Sequence, residues 1–352
     1  MYCSSHRVAQ REYEARLERT ARNSRGGEFA VAGVLEKKFQ NPYVFVVGCP
    51  RSGTTLLQRM LDAHPQMTIA NDTHFITRAA KKVLPEDPKP ALTTELVEQV
   101  CSYRRFYRMG LDHQDVTSAA DHCGTYSEFI SRLYTSRAKR RHKIISGEKT
   151  PDYCRQIPAL HKLFPHSKFI HIIRDGRDTA LSTLEWATDT KGPGKWSLWA
   201  SDPVGTCALW WQWQVSLGHT EGTRLGPALY HELRYEDLVA DPARELHKIS
   251  DFLGIQYSEE MSYFFWGKTK TQKGLSAKAA WIPPTSGLRD WRSQMSREDA
   301  AVFCGIAGNW LAKAGYECGK YPESQALKSR IETCLSWWRN QSKFKGVYDT
   351  AG

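Results

Sequence analysis

The sequence predicts an α/β fold, a P-loop-like three-layer arrangement in which helices flank a central parallel sheet. Short apolar runs rich in β-branched residues alternate along the chain with segments of helical periodicity. This alternation is typical of a parallel sheet that helices cover on both faces. A glycine-containing loop, Gly48–Thr55, stands between the first such run and the first helix, as in phosphate-binding folds.

Strands and helices are predicted in alternating order. The strands are short β-branched and aromatic runs at 43–47, 143–147, 168–173 and 229–234. The helices have apolar positions at helical spacing, at 54–63, 178–188, 243–253 and 297–314. Ser296 and Asp299 stand at capping-box spacing before the last helix, and Gly315 is placed to end it. Residues 85–128 are expected to be helical in pieces, with prolines marking a loop.

Length and organisation favour one main domain rather than two. The chain has 352 residues, 41% of them hydrophobic, without an internal repeat or a long Gly/Pro-rich linker. We expect a basic N-terminal arm or helix at 1–40, the main domain at 41–322, and an amphipathic helix with a tail at 323–352. Docking of that helix on the body is the first expectation, and pairing of two copies into a homodimer is the second.

Composition limits the partners and the compartment. The net charge of +11 favours nucleic acid, a membrane surface or phosphorylated small molecules. The nine cysteines are scattered, without a CxxC pair, which indicates free thiols rather than a zinc site or a dense disulfide framework. No secretory h-region and no run near the ~20 apolar residues that span a bilayer occurs. We therefore expect a soluble, cytoplasmic protein without a transmembrane segment.

The loop Gly48–Thr55 (GCPRSGTT) departs from the P-loop pattern GxxxxGK[ST] at the lysine, where Thr54 stands. Such a loop still points backbone N–H groups and a helix N-terminus at an anion. Without the lysine a triphosphate would be under-compensated, and Arg51 offers its charge at another place. The loop predicts a nucleotide with a short 5′ phosphate chain, and a purely structural turn is the alternative.

A second basic motif, Arg174-Asp-Gly-Arg-Asp178, follows the third predicted strand. Arg174 ends that strand, and Ser182 lies about two turns into the next helix. Ligands of such folds bind at the carboxyl edge of the sheet, so this guanidinium and hydroxyl can grip a second, separate phosphate. A surface turn with internal salt bridges is the alternative.

Taken together, these segments resemble the donor-binding loops of the sulfotransferase superfamily. The runs PRSGTTLLQRMLDAHP, NDTHFI, GEKTPDY, LFPHSKFIHIIRDGRD and RYEDLVADP look like bacterial sulfotransferases related to tyrosylprotein sulfotransferases. The resemblance extends over residues 42–320 with gaps and is weak in 80–140 and 186–228. It implies 3′-phosphoadenosine 5′-phosphosulfate as the donor, adenosine 3′,5′-bisphosphate as the product, no metal, and transfer of a sulfuryl group to an acceptor hydroxyl.

The resemblance also implies roles for the matching residues. Arg174 and Ser182 would bind the 3′-phosphate, and Tyr235 would contact the nucleotide. Lys149 would stabilise the leaving phosphate, where negative charge grows during transfer. The residues that would wrap the 5′-phosphosulfate come from the loop: Arg51, Ser52, Gly53, Thr54 and Thr55. Arg51 would also meet the growing charge. The segment 289–292 resembles a donor-closing region, to which no role is assigned.

Three side chains are candidates for the base that takes the acceptor's proton. The presumed base of tyrosylprotein sulfotransferases is a glutamate, and the matching position here is Asp72, which is one methylene shorter. His74 and Glu148 are the alternatives, since a carboxylate or a neutral imidazole can serve if burial tunes its pKa. Two of these candidates have structural alternatives, in which Asp72 caps a helix that begins at Thr73 and His74 is a packed core residue. Lys149 has one as well, as an exposed turn residue.

The sequence does not identify the acceptor. Six tryptophans between 186 and 213 lie where the resemblance fades; they fill core or line an acceptor pocket, and core is the preferred interpretation. A sugar, a lipid, a natural product and a phenol, including a peptidyl tyrosine, all remain acceptors.

Three other functions were compared with this one. Thr54 in the lysine position argues against a P-loop kinase or NTPase. The absence of a helix-turn-helix, zinc or RNP-like motif argues against a nucleic-acid-binding protein. The intact set Arg51, Lys149, Arg174 and Ser182 argues against a degenerate sulfotransferase that only binds nucleotide.

Overall fold

The computed structural model describes residues 39–84, 86–87, 89–265, 284 and 289–341. The chain divides into two units, residues 1–40 and 41–352. Only Phe39 and Gln40 of the first unit are described, so the fold reported below is that of the second. The predicted N-terminal arm and the tail after 341 lie outside the described residues, and the domain boundaries stay predictions.

The described strands form one five-stranded sheet in the order β2-β3-β1-β4-β5, and all neighbouring pairs are parallel. They are β1 (Val44–Val47), β2 (Met67–Asn71), β3 (Ile145–Lys149), β4 (Lys168–Ile173) and β5 (Tyr230–Arg234). β1 is fully apolar and fully buried, and β4 is largely apolar and buried except at Lys168, as expected for central strands covered on both faces. The predicted α/β fold class, a central parallel sheet flanked by helices, is confirmed.

Helices follow each strand. In the first half they are α1 (Thr54–Asp62), α2 (Phe75–Ala79), α3 (Thr94–Cys101), α4 (His113–Ala120), α5 (Tyr126–Arg140) and α6 (Ile157–Leu163). In the second half they are α7 (Gly176–Leu184), α8 (Pro203–Leu225), α9 (Tyr235–Ala240), α10 (Pro242–Leu253), α11 (Trp291–Gln294), α12 (Arg297–Lys313) and α13 (Gln325–Arg339). Among all the residues that the structure describes, no helix is both long enough and apolar enough to cross a bilayer.

The register of the sheet sends successive side chains of β3 to opposite faces. Glu148 pairs with Phe45 and with Ala70, which belong to the core under α5. Lys149 pairs with Val46 and reaches the other face, where its ammonium contacts Thr55 at the start of α1. Two adjacent charged residues therefore serve two different layers.

The carboxyl ends of all five strands meet at one edge of the sheet. The phosphate loop follows β1, Asp72 follows β2, Lys149 ends β3, Arg174 follows β4 and Tyr235 follows β5. Ligands of parallel α/β folds bind at this edge. Residues that are far apart in sequence are brought together there.

The tryptophan-rich segment is largely core. Trp196, Trp210 and Trp211 are buried in a cluster that α8 shares with α12 and α13. Trp338 from α13 packs on Trp196 with ring centroids 5.6 Å apart. The preferred interpretation is confirmed for these residues, and the C-terminal helix docks on the body through them.

Three elements differ from the sequence prediction. β2 is missing from it because MTIAN is short and ends in asparagine, and α8 is missing because its glycines and aromatics blur the helical period. Those glycines allow close packing, since a Cβ at Gly218 would lie 2.6 Å from the ring of His171 on β4. The strand predicted at 143–147 lies two residues later, which places Lys149 on a strand rather than in a turn.

Candidate active site

The phosphate loop is shaped by two residues in the left-handed region. Arg51 has φ 79° and Gly53 has φ 92°. Gly53 is the N-cap of α1 and has no side chain to cap it, so the helix start presents backbone N–H groups and a positive dipole to the sheet edge. Ser52 is fully buried, and its Oγ has no hydrogen-bond partner among the described residues. This is a cradle suited to an anion.

Tyr235 covers this loop. A Cβ built on Gly53 would lie 2.3 Å from the Tyr235 ring, so only glycine lets the ring approach so closely. The other contact of the ring is with Arg174, whose guanidinium carbon lies 4.4 Å from the ring centroid. Tyr235 thus joins the phosphate loop to the second basic motif.

Arg174 is the centre of that second motif. It is 8% exposed, and its Nε has no partner in the part of the chain that the structure describes. Its Nη2 lies 3.8 Å from the Asp178 carboxylate, and its carbonyl oxygen accepts a hydrogen bond from Trp211 Nε1 at 3.0 Å. A buried guanidinium with an unsatisfied donor is a site for an anionic acceptor group.

Arg51 and Ser182 are in direct contact, because Arg51 Nε donates to Ser182 Oγ at 3.0 Å. Burial, followed by the charges of Arg289 and Arg174, lowers the pKa of Arg51. The Arg51 guanidinium is therefore close enough to those of Arg289 and Arg174 to be repelled by both, and an anion beside it would relieve this repulsion. The sequence prediction treats the loop and the 3′-phosphate motif as separate, and this contact links them.

A second layer lies behind Arg174. Asp178 Oδ1 accepts a hydrogen bond from the Trp291 backbone N–H at 2.8 Å, and burial raises the pKa of Asp178 to about 6. Trp291 in turn lies over the Arg177 guanidinium at 3.7 Å, and Arg289 pairs with Glu185 at 2.5 Å. The segment 289–292, to which the sequence assigned no role, thus packs beside α7.

Lys149 stands between the loop and Asp72. Its Nζ lies 3.2 Å from Thr55 Oγ1 and 3.1 Å from Asp72 Oδ1. The side chain is 1% exposed, and burial lowers the pKa of Lys149 although Asp72 opposes the shift. The alternative of an exposed turn residue is wrong for Lys149. The ammonium that the loop lacks at Thr54 comes instead from the neighbouring strand.

Asp72 lies in a turn directly after β2, with φ 57°. Its backbone N–H donates to the Lys149 carbonyl at 2.6 Å, and its side chain is 31% exposed. The helix that follows begins at Phe75, its N-cap is His74, and no side chain caps it. The alternative in which Asp72 caps a helix from Thr73 is therefore wrong, and the carboxylate faces Lys149 instead.

Glu148 is held inside the core. Its Oε1 accepts hydrogen bonds from the Thr73 backbone N–H at 3.0 Å and from Thr150 Oγ1 at 2.5 Å. Its Oε2 accepts from the Tyr134 hydroxyl at 2.7 Å. Burial raises the pKa of Glu148, and these donors act in the other direction. With no exposed surface, this carboxylate fixes the turn that carries Asp72 rather than meeting a substrate.

His74 is buried at 9% exposure and has φ 60°. Its ring meets that of Tyr153 edge-on, with centroids 6.4 Å apart. Burial lowers the pKa of His74 to about 4, with a partial opposing effect from Asp152. The imidazole is therefore neutral at pH 7 but a weak base, which favours a packing role.

Two arginines that the sequence reasoning missed support the Asp72 turn. Arg105 Nη1 donates to the Asp72 carbonyl at 3.4 Å, and Arg108 Nη1 donates to the Asn71 and Asp72 carbonyls at 3.2 and 3.3 Å. Arg108 also lies 3.8 Å from the Asp72 carboxylate. Their spacing of three residues in RRFYRM, which places both on one side of a helical turn, was the signal available in the sequence.

The structure thus brings the predicted residues to one sheet edge in two groups. Lys149 and Asp72 contact each other, and Arg51 contacts Ser182; Tyr235 packs on Gly53 and Arg174. Across the described ranges, no group of three or more His, Cys, Asp or Glu side chains is placed to hold a metal ion. Metal independence stays a prediction.

The chain was compared with known proteins. Residues 42–259 match the model of the Sulfotransferase family. Among curated relatives, protein-tyrosine sulfotransferase A of Caenorhabditis elegans is 24% identical over 221 residues, which cover 63% of this chain and 52% of that protein. Protein-tyrosine sulfotransferase 2 of Gallus gallus is 27% identical over 218 residues, covering 62% and 52%. The chain spans about half the length of the curated relatives it matches.

Among solved structures, the sulfotransferase domain of the Synechococcus olefin synthase aligns with a TM-score of 0.48 and 18% identity, covering 86% of this chain and 96% of that domain. The family match covers more than half of the present chain and includes the phosphate loop, Asp72, Lys149, Arg174 and Tyr235. The resemblance stated from the motifs is confirmed, and the chain belongs to the sulfotransferase family.

Proposed function

We propose that this protein transfers a sulfuryl group from 3′-phosphoadenosine 5′-phosphosulfate to an acceptor hydroxyl by in-line displacement. The observation that carries the proposal is the position of Lys149. Its buried ammonium touches the phosphate loop at Thr55 and the Asp72 carboxylate at once. A group so placed serves both the leaving side and the attacking side of a single displacement.

The donor fits the two groups of residues at the sheet edge. The start of α1 and the orphaned Ser52 hydroxyl suit the 5′ phosphosulfate. Arg174, with its unsatisfied Nε, and Ser182 suit a 3′-phosphate. Tyr235 lies between the two groups, where its ring contacts both.

On the leaving side, the bond between sulfur and the bridging oxygen breaks, and negative charge grows on that oxygen. The Lys149 ammonium can donate a hydrogen bond to that oxygen from its present position, because it already lies against the loop. Arg51 points to Ser182 in this structure. A direct catalytic role for Arg51 therefore requires another rotamer, whereas a role on the 3′-phosphate side does not.

On the attacking side, Asp72 is the proposed base. It is the partly exposed carboxylate beside Lys149, so an acceptor hydroxyl can approach it from solvent. Glu148 and the two arginines fix the turn, which limits the positions that the carboxylate can take. His74 remains the second candidate, since a neutral imidazole can accept a proton.

The test is transfer of labelled sulfur from 3′-phosphoadenosine 5′-phosphosulfate to acceptors in a panel of phenols, sugars, lipids and cell extract, without added metal. The proposal predicts an acceptor-dependent release of adenosine 3′,5′-bisphosphate together with a labelled product. Release of nucleoside diphosphate from ATP and magnesium, without sulfur transfer, would contradict it. Identification of the labelled product decides the acceptor.

Replacing Arg174 tests the 3′-phosphate role. Arg174→Ala is expected to weaken adenosine 3′,5′-bisphosphate binding by about 10–100-fold, the effect of losing a buried charge-assisted contact. Binding of 5′-AMP should change much less, because it lacks the 3′-phosphate. Calorimetry with both nucleotides on the same variant controls for misfolding, since a misfolded protein would lose affinity for both. Equal losses of affinity would exclude a 3′-phosphate role for Arg174.

The remaining assignments are proposals of the same kind. A small-molecule, glycan or lipid acceptor fits the open side of Asp72, and the homodimer and the absence of nucleic-acid binding stay predictions. The cytoplasmic location also stays a prediction. Cell fractionation followed by detection of the full chain tests the location, and light scattering tests the oligomeric state.

A further inference from the structure

Two thiols, Cys304 and Cys318, are not among the residues that the proposed reaction uses. Cys304 is half-buried in α12, and Cys318 is exposed in the segment that follows the helix. A Cβ built on Gly308, one turn along α12 from Cys304, would lie 3.6 Å from Cys318 Sγ. Because Gly308 follows Cys304 by one turn, this contact places Cys318 on the side of α12 that carries Cys304, and the two thiols affect each other's pKa. The segment after α12 therefore folds back over the helix at this point.

Arg177 makes this pair chemically unusual. Its Nη1 donates to Cys304 Sγ at 3.7 Å, while its Nε and Nη2 donate to Asp175 at 3.0 and 2.8 Å. A cation that donates to the sulfur stabilises its thiolate form, which is the reactive form of cysteine.

We propose that Cys304 and Cys318 are a site of reversible oxidation, in which a peroxide converts the pair to a disulfide. Cys304 is the attacking thiol and Cys318 is the resolving thiol. This assignment is independent of the proposed sulfuryl transfer, because neither thiol is among the residues assigned to the donor or to the acceptor. It adds a modification site whose co-reactant is a peroxide.

The reaction balances in two steps. The Cys304 thiolate attacks one peroxide oxygen, the O–O bond breaks, and hydroxide leaves to give a sulfenic acid and, after protonation, water. Cys318 then loses its proton and attacks the sulfenic sulfur, and a second water leaves as the disulfide forms. The two thiols give up two protons and two electrons, and the peroxide is reduced to two waters.

The electrostatics suit this order. The Cys318 hydrogen bond, together with Arg177, lowers the pKa of Cys304 to about 7, whereas the contact with Cys304 raises the pKa of Cys318. Once Cys304 is oxidised, it no longer carries the negative charge that opposes ionisation of Cys318. The resolving thiol is therefore released for attack only after the first step.

The experiment treats the full-length protein with hydrogen peroxide and follows its intact mass and its peptide map. Wild type is expected to lose about 2 Da per chain and to yield a reducible Cys304–Cys318 peptide pair. Cys318→Ser should stop at a sulfenic acid on Cys304, which a dimedone probe traps. Cys304→Ser should give no such pair and no dimedone adduct at Cys318.

Cys101, which is also exposed, is the matched comparison, and Cys101→Ser should leave the disulfide yield unchanged. Dimedone labelling of Cys101 as fast as of Cys304 in the Cys318→Ser protein would overturn the proposal. So would a peptide map of the peroxide-treated wild type without the Cys304–Cys318 pair. The Cys318→Ser arm keeps the test decisive if Cys304→Ser fails to fold.

Discussion

Lys149→Met is expected to lower turnover by about 10²–10³-fold, the loss seen when one preorganised charge-stabilising donor is removed. Methionine keeps the length and apolar character of the side chain in a position that is 1% exposed, so packing is largely preserved. What is lost is the ammonium between Thr55 and Asp72. The measurement is kcat with saturating donor, alongside calorimetric binding of adenosine 3′,5′-bisphosphate.

Lys143→Met is the matched control for this variant. Lys143 precedes the amino end of β3, and its Nζ donates to the carbonyls of Asp62 and Met67 at 2.6 and 2.7 Å. It is a half-buried lysine at the edge of the sheet opposite to the site, so its loss should reduce stability and leave kcat near that of wild type. A Lys149→Met enzyme with kcat within about threefold of wild type would exclude a role on the leaving group, since a charge-stabilising donor contributes far more.

Asp72→Asn is expected to lower kcat by about 10²–10⁴-fold, the usual contribution of a general base. The amide keeps the shape of the side chain and an oxygen that Lys149 can contact, but it cannot take the acceptor's proton. Donor affinity should change little, because Asp72 lies beside the loop rather than in it. Turnover and binding of adenosine 3′,5′-bisphosphate are measured on the same preparation.

His74→Ala separates the two candidate bases. The pKa of His74, lowered to about 4 by burial, makes the imidazole a weak proton acceptor, so this variant should lose stability more than turnover. If Asp72→Asn keeps wild-type turnover while His74→Ala loses it, the base is His74. That result would also assign Asp72 to the positioning of Lys149.

His74 adds a stability signature. Its folded-state pKa lies below the ordinary value of 6.5, so the unfolded chain binds more protons between about pH 4 and 6.5. Stability from this group is therefore present above pH 6.5 and is lost as the pH falls through that window.

The fold and the donor motifs could be predicted because local sequence determines them. The run KFIHII gave the bounds of β4 without error, since it is rich in isoleucine and is buried from Phe169 onward. The phosphate loop was predictable from glycine spacing and from its place between strand and helix. Arg174 and Ser182 were predictable because they share one strand–helix unit.

Contacts between distant segments could not be predicted in this way. Lys149 reaches Thr55 only because β3 lies beside β1 in the sheet, an order that a single sequence does not encode locally. Aspartate commonly caps helices, so the sequence alone allows a helix cap at Asp72, but the Glu148 and Arg108 contacts hold a separate turn there. Both depend on tertiary neighbours.

We propose that the site binds two separate phosphates at the two ends of one adenosine, with a lysine from the neighbouring strand in place of the P-loop lysine. Titration calorimetry of the wild-type protein with adenosine 3′,5′-bisphosphate and with ATP, both without magnesium, distinguishes such a site from a triphosphate site. The bisphosphate is expected to bind at least about tenfold more tightly, the worth of one charge-assisted contact. Equal binding, or tighter binding of ATP, would exclude the two-phosphate site.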